Sequence, residues 1–476
     1  MKFLFLNPPI ESGEIYMKEL GRCGRKSVAG ELWPQTGLAY LAAMMLKEQA
    51  DAKIIDAIAE SMSVDDVIKE IADFSPDVVI IGTTTPTFNN DCTVSKKIKK
   101  SFDNILIGFT GTHVSVLPEE TLTKSEADFL ILNEGEETVR EIALSDLSDL
   151  NNLSNIKGIA YKSDGEIKFT PKRDFVENLD DLPFPARNLL PNDKYKMPFF
   201  ENEPFVTIIP TRGCPFQCIF CRAGGVWGTK VRTRSVENVC NEIKDIIKNL
   251  GIRNVVFMTD SLTLKREWTS RLCEKILNEN IKFKWICNSR VDAVDLETLK
   301  LMKKAGCTVV SYGIESGNQE ILDRSKKAIT IDQARNAIKF TKEAGLISMA
   351  YFIIGLPGET KETIKQSIAF AKEIKPDYVN FHVATPFPGT EFYQMAKDNG
   401  WLISNDWSDY EEEGSAVINL DTLSAEELVK AQRYAMRQFY LRPSRILQEI
   451  KSIKSLEQLK SRLKAGLKVI SSIFEK

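Results

Sequence analysis

Short apolar runs that end in small or polar residues alternate with amphipathic stretches along most of this chain, and few folds accommodate that rhythm. Lys2–Leu6, Ala52–Asp56, Asp77–Gly82, Ile105–Phe109 and Asp128–Leu132 read as strands. Gly37–Lys47, Val64–Ala72 and Asp91–Phe102 lie between them with apolar residues at helical spacing. Five strands with crossover helices predict an α/β doubly wound open sheet, with its ligand at the C-terminal ends of the strands. A second series follows. Asn254–Met258, Phe283–Cys287, Thr308–Gly313, Ile347–Ile354 and Tyr378–Val383 alternate with helical Ser235–Leu250, Glu267–Glu279, Leu296–Lys304, Ile331–Ala344 and Thr363–Glu373. Parallel βα units of this kind place polar chemistry at strand C-termini, where Asp260, Arg290, Glu315 and Gly355 fall. Asn152–Pro191 reads as a connector, with a hairpin around Ser163-Asp164-Gly165.

Composition narrows the function. Net charge is −3, without the basic excess of a nucleic-acid binder. His113 and His382 are the only histidines, which speaks against His-rich metal sites and His-based hydrolysis. The apolar opening Met1–Leu6 stops at Asn7-Pro8-Pro9, too short for a signal peptide, and no apolar run is long enough to span a membrane. The expected location is the cytoplasm. Nine cysteines, an odd number, do not describe a disulfide framework.

Three of those cysteines are clustered, in Cys214-Pro-Phe-Gln-Cys218-Ile-Phe-Cys221. Zinc in a structural site takes four ligands, and no histidine lies near this loop. Ferredoxin-type clusters also take four thiolates. Three thiolates on one short loop suit a four-iron cluster with one iron open to a non-protein ligand.

This loop resembles that of the radical S-adenosylmethionine (SAM) superfamily, Cys-x3-Cys-x-aromatic-Cys. The resemblance covers roughly residues 202–395 and implies a partial (βα)6, TIM-like barrel. It implies that Cys214, Cys218 and Cys221 hold a 4Fe-4S cluster and that Phe220 packs near the adenine of SAM. It further implies that Glu315, with Ser316 beside it, meets the SAM ribose, that Arg290 meets the SAM carboxylate, and that Ile354, Gly355 and Pro357 form the adenine-side turn. Arg290 pairing simply with Asp292 is the plain structural alternative. Asp260, the candidate catalytic carboxylate, sits where members contact the SAM amino group or the substrate.

Residues 1–145 resemble the cobalamin-binding domain that precedes the radical SAM core in one large subgroup. The matching features are the Asn-Pro-Pro opening, Trp33-Pro-Gln-Thr-Gly-Leu-Ala-Tyr40, and the turns after the third, fourth and fifth strands. By resemblance, Thr83, Thr85, Gly111, Thr112, Glu134 and Gly135 would line the corrinoid or its nucleotide tail. The Asp-x-His-x-x-Gly motif of cobalamin mutases is absent. His113 therefore reads as a tail contact or a plain loop residue, not as a cobalt ligand.

The resulting organisation is a cobalamin-like domain (1–145), a connector (146–201), a barrel (202–422) and a helical extension (423–476). The segment 445–476 carries +5 of charge, leaving −8 on the rest, and repeats apolar residues every three or four positions. Two readings stand: a helix packed over the barrel, or one lying on an anionic membrane surface, which would suit a lipid or other apolar substrate. Glu11–Leu32, with Arg22, Cys23 and Arg25, reads as a mobile surface loop, or as one that orders over the cofactors. The leading functional reading is cleavage of SAM to a 5′-deoxyadenosyl radical, used for cobalamin-dependent methylation of an unactivated carbon of a small molecule. An external low-potential electron donor would be required. The alternatives are non-methylating radical cyclisation or oxidation, as in the anaerobic protoporphyrin ester cyclases, an electron-transfer iron–sulfur protein, and a zinc-stabilised binding module.

Overall fold

The computed structural model describes residues 1–18, 23–27, 30–147, 149–163 and 165–443. The basic segment 445–476, and with it the membrane reading, lies outside the described residues. Among the described residues no helix is long and apolar enough to cross a membrane.

The first sheet contains β1 (Lys2–Asn7), β2 (Asp51–Asp56), β3 (Val78–Gly82), β4 (Leu106–Thr110) and β5 (Phe129–Ile131), parallel and in the order β2-β1-β3-β4-β5. Phe3–Leu6 and Val78–Ile81 are wholly buried, as strands covered on both faces must be. The strands are added outward in opposite directions from β1 and from β3, and doubly wound sheets bind ligands at such a switch point. Helix Val64–Phe74 opens on a reciprocal cap between Ser63 and Asp66, and its Val64, Val67 and Ile71 face the core.

The sheet is larger than the apolar runs of the first third suggest. Strands β6 (Ile159–Ser163) and β7 (Glu166–Phe169) form the expected hairpin, but it is not a free connector. Strand β6 pairs antiparallel with β5 and brings the sheet to seven strands. Ile159, Ala160 and Tyr161 are all buried, so their apolar surface needs this docking.

The second sheet contains β8 (Val206–Ile208), β9 (Asn254–Phe257), β10 (Lys284–Ser289), β11 (Cys307–Glu315), β12 (Ile347–Ile354) and β13 (Tyr378–Val383), all parallel and in sequential order. This is the expected partial (βα)6 arrangement. The strand not anticipated, β8, is only three residues long and leads directly into the cysteine loop. The outer edge of β13 is closed by the helix Ala425–Tyr440: the Tyr440 hydroxyl donates to the Val379 carbonyl (2.7 Å) and Gln432 Nε2 to that of Phe381 (2.8 Å). The two sheets share their cores, and one apolar cluster runs from Phe3, Leu41 and Ile131 to Phe205, Met258 and Ile286.

Candidate functional site

The cysteine loop is closed at its neck. Thr211–Arg212 pairs antiparallel with Arg232–Thr233, and the Cys214 N–H donates to the Gly228 carbonyl (3.1 Å). Gly213 has φ +96°, and a Cβ there would lie 2.1 Å from the Lys230 carbonyl oxygen. Only glycine therefore fits this neck. Ile219 anchors the far side, donating its N–H to Ser325 and accepting from that of Phe392.

The thiols differ in setting. Cys214 and Cys218 are half-buried and Cys221 is exposed. Burial pushes the Cys214 and Cys218 thiols up, while Arg290 near both and Lys327 near Cys218 pull the other way. The Ala223 N–H donates to Cys221 Sγ (3.4 Å). Among the described residues no three His, Cys, Asp or Glu side chains are drawn around a common point, these three included. The loop presents its donors without closing them on a centre. The donor set, three thiols on one tethered loop flanked by two cations, fits a cluster that leaves one iron to an outside ligand.

Glu315 is not in the turn after its strand but is the last residue of β11. It has φ +71°, and the pairing with β12 slips between Gly313 and Glu315. Its carboxylate folds back over Gly313 and accepts from Lys327 Nζ at 2.7 Å, with both side chains nearly buried. Burial opposes the Lys327 charge, but Glu315 and Cys218 outweigh it and raise its pKa. Lys327 carries no signal in the chain pattern; only the fold brings it to this carboxylate.

Arg290 is tied down. It donates to Asp292 (2.9 and 3.0 Å) and to the carbonyls of Lys327 and Ala328, and lies 3.4 Å from the Phe216 ring centre. It therefore braces the cysteine loop, and its Nη2 and Nε are occupied within the protein. Asp260 lies just beyond β9, close enough to Cys214 for its charge to be felt there. Phe220 is partly buried against the core. Ser316 departs from the expectation of a ribose contact: it is fully buried, and its hydroxyl faces that of Ser367 (3.2 Å). The Ile354–Pro357 turn is buried, and Gly355 (φ +100°) donates its N–H to Glu359 Oε2 (2.5 Å). Glu359 is wholly buried, its Oε1 has no partner, and burial lifts its pKa to about 8 against the pull of the Gly355 and Leu356 N–H groups.

At the C-terminal ends of β3, β4 and β5 lies a partly open cavity. Thr83, Gly111, Thr112, Glu134 and Gly135 line it, and Trp227 from beyond the cysteine loop forms part of its wall. Gly111 has φ +136°, and a Cβ there would lie 2.0 Å from the Thr83 carbonyl oxygen. Gly111 is thus required by its packing on Thr83, and with Gly37, Gly82 and Gly135 also in the lining the backbone of these turns is within reach of a flat ligand such as a corrinoid.

Two expectations fail here. Thr85 is not on the wall; its hydroxyl faces His113 Nδ1 (3.4 Å). His113 is not a loop residue. It lies in the short helix Thr112–Val116, wholly buried, stacked on Phe88 and edge-on to Trp407. Burial lowers its pKa to about 4, so it is neutral at pH 7. Trp407 comes from the far end of the chain, which is why no local pattern shows this packing.

Glu134 meets the cavity, but Arg232 binds its carboxylate at 2.7 and 2.9 Å. Arg212 reaches Glu136 (2.5 Å) and Glu134 (3.3 Å), and its guanidinium lies between the rings of Tyr40 and Trp227. All four charged side chains are buried. Burial works against the Arg212 charge, but the two carboxylates raise its pKa above the usual guanidinium value. The cavity wall and the neck of the cysteine loop are thus one ion-pair network. Nor is the segment 11–32 a free surface loop where it is described. Tyr16–Met17 pairs with Arg25–Lys26, and Lys18 is buried beside the cavity, bonded to Asp91 and to the Gly82 carbonyl.

Residues 208–371 match the Radical SAM superfamily and residues 24–143 the B12 binding domain. The chain is 36% identical over 451 residues to "Uncharacterized methyltransferase PH0819" of Pyrococcus horikoshii, covering 94% of this chain and 95% of that protein. It is 28% identical over 410 residues to the anaerobic magnesium-protoporphyrin IX monomethyl ester cyclase of Rubrivivax gelatinosus, covering 84% and 70%. In fold it is similar to the cobalamin-dependent SAM radical enzyme OxsB, solved with aqua-cobalamin and SAM bound. That match has TM-score 0.76 and 16% identity, over 99% of this chain and 72% of that one.

Proposed function

The chain belongs to the radical SAM superfamily and carries a B12-binding domain ahead of its barrel, and from that membership we propose that it is a cobalamin-dependent methyltransferase acting on an unactivated carbon of a small molecule. When bound, a reduced 4Fe-4S cluster supplies the electron that splits SAM into methionine and a 5′-deoxyadenosyl radical, and cobalamin supplies the methyl group. In this reading Cys214, Cys218 and Cys221 hold the cluster, and Arg290 and Lys327 keep positive charge beside the thiolates. Glu315, fixed by Lys327, faces the ribose, and the Ile354–Pro357 turn faces the adenine. Thr83, Gly111, Thr112, Glu134 and Gly135 seat the corrinoid. Asp260 serves the SAM amino group or the substrate.

The observation that carries this reading is the shared wall. Trp227 and the Arg212–Glu134 network belong at once to the glycine-lined cavity and to the base of the cysteine loop. Two cofactors seated there would be neighbours, as transfer between them requires. An external low-potential donor supplies the electron. Among the described residues the cysteines form no disulfide, which suits a reducing compartment such as the cytoplasm.

The test is anaerobic reconstitution with iron, sulfide and hydroxocobalamin, followed by SAM and dithionite. About four irons per chain, a bound corrinoid and production of 5′-deoxyadenosine are expected, all but the corrinoid lost when the three loop cysteines become alanine. A fully loaded protein that forms no 5′-deoxyadenosine sinks the reading. Once a substrate is in hand, 5′-deoxyadenosine without a methylated product would favour radical cyclisation or oxidation instead.

A further inference from the structure

Along β12 and β13 the residues Phe352, Phe381 and Val383 are buried under the outer helices. Their alternates, Tyr351, Asn380 and His382, therefore face the barrel interior. Register carries this row across the sheet: Gly313, which lies beneath the Glu315 carboxylate, pairs with Tyr351, and Tyr351 pairs with Asn380. Tyr351 and Asn380 keep partial exposure, so this part of the interior is open to solvent.

The row ends at two carboxylates. Glu412 and Glu413 each stand 3.8 Å from His382 Nδ1, one from either residue. His382 is 8% exposed, and its Nδ1 has no hydrogen-bond partner. Asn380 Nδ2 donates to Glu413 (3.0 Å), and no described residue donates a hydrogen bond to the Glu412 carboxylate. Among the described residues neither glutamate meets a lysine or arginine. The backbone beneath them is held: the Val383 N–H donates to the Glu412 carbonyl (2.8 Å) and Thr385 to that of Glu411 (2.8 Å). The Tyr351 ring lies 5.7 Å from the imidazole, nearly parallel to it. Two adjacent, partly buried carboxylates repel each other unless a cation joins them. An aromatic face beside them favours the same kind of ligand.

We propose that Glu412 and Glu413, with His382 and Tyr351, recognise a protonated amine on the substrate. This names the substrate class for the barrel interior and rests on the functional reading above. The probes are hexylammonium and its neutral counterpart hexanol, titrated at low salt into the reconstituted full chain by calorimetry. Hexylammonium binds about tenfold or more tightly than hexanol, and the E412Q/E413Q variant loses that preference. Its 5′-deoxyadenosine formation without substrate and its melting temperature stay as in the parent. Should the double variant fail to fold, E412Q alone, which breaks no hydrogen bond, lowers the preference by about threefold. The proposal is overturned if hexylammonium binds no better than hexanol, including no binding of either, or if the preference survives the substitutions. If the parent binds hexylammonium but forms no 5′-deoxyadenosine, the methyltransferase reading fails and the amine site stands.

Discussion

Glu359 shows how much one buried side chain can report. Its carboxyl is enclosed at the glycine turn with one oxygen unpartnered, and its pKa is about 8 against an ordinary 4.5. Between those values the folded protein keeps a proton that the unfolded chain has lost. Its contribution to stability therefore falls as pH rises, by up to about 1.4 kcal/mol per unit. Glu359→Gln removes the titration and keeps an oxygen to accept the Gly355 N–H. Urea midpoints from pH 5 to 8 should fall more steeply for the parent than for the variant; parallel curves would contradict the assignment. His113 acts with the opposite sign. Its pKa, lowered to about 4, makes its contribution full above pH 6.5 and lost as pH falls towards 4. The His113 environment is not visible locally, because the rings packed on it come from Phe88 and Trp407.

At the scale of elements, the cysteine loop depends on its neck more than on its tip. The two-residue pairing of Thr211–Arg212 with Arg232–Thr233 brings the ends of the loop together, and Gly213 lets the chain pass against Lys230. Gly213→Ala places a Cβ where the Lys230 carbonyl already is, in a backbone conformation that costs about 1 kcal/mol or more for alanine. The neck should open. Iron bound after reconstitution should fall below half of the parent value while hydroxocobalamin still binds. Full iron content in the variant would show that the neck is dispensable. Strand β11 offers the complementary case. Its apolar run predicts an end at Gly313, yet pairing continues to Glu315, because the register slip and the Lys327 partner accommodate a charged residue there.

Across the whole molecule, the two domains are joined by buried charge as well as by a shared apolar core. Glu134 and Glu136 belong to the first sheet's end of the molecule, Arg212 and Arg232 to the barrel's cysteine loop. Removing one partner of such a pair strands the other, at a cost of about 3–5 kcal/mol. A double-mutant cycle of Glu134→Gln and Arg232→Gln should give a coupling energy of about 2 kcal/mol in denaturant unfolding. A coupling near zero would mean that the domains merely abut. Much of this molecule was legible beforehand. The alternation of apolar runs and amphipathic helices determined two parallel α/β units, since strand and helix periodicities are local properties of the chain. The Cys214–Cys221 spacing pointed to iron–sulfur chemistry, since three thiols on one short loop stay near one another whatever the fold around them. Tertiary structure alone decided the rest: Lys327 beside Glu315, Arg232 on Glu134, Trp407 over His113, and Glu412 and Glu413 beside His382. Most of these partners lie far apart in the chain and meet only when strands, helices and loops pack. Short-range pattern carries no record of such meetings, because burial and charge pairing are properties of the packed interior.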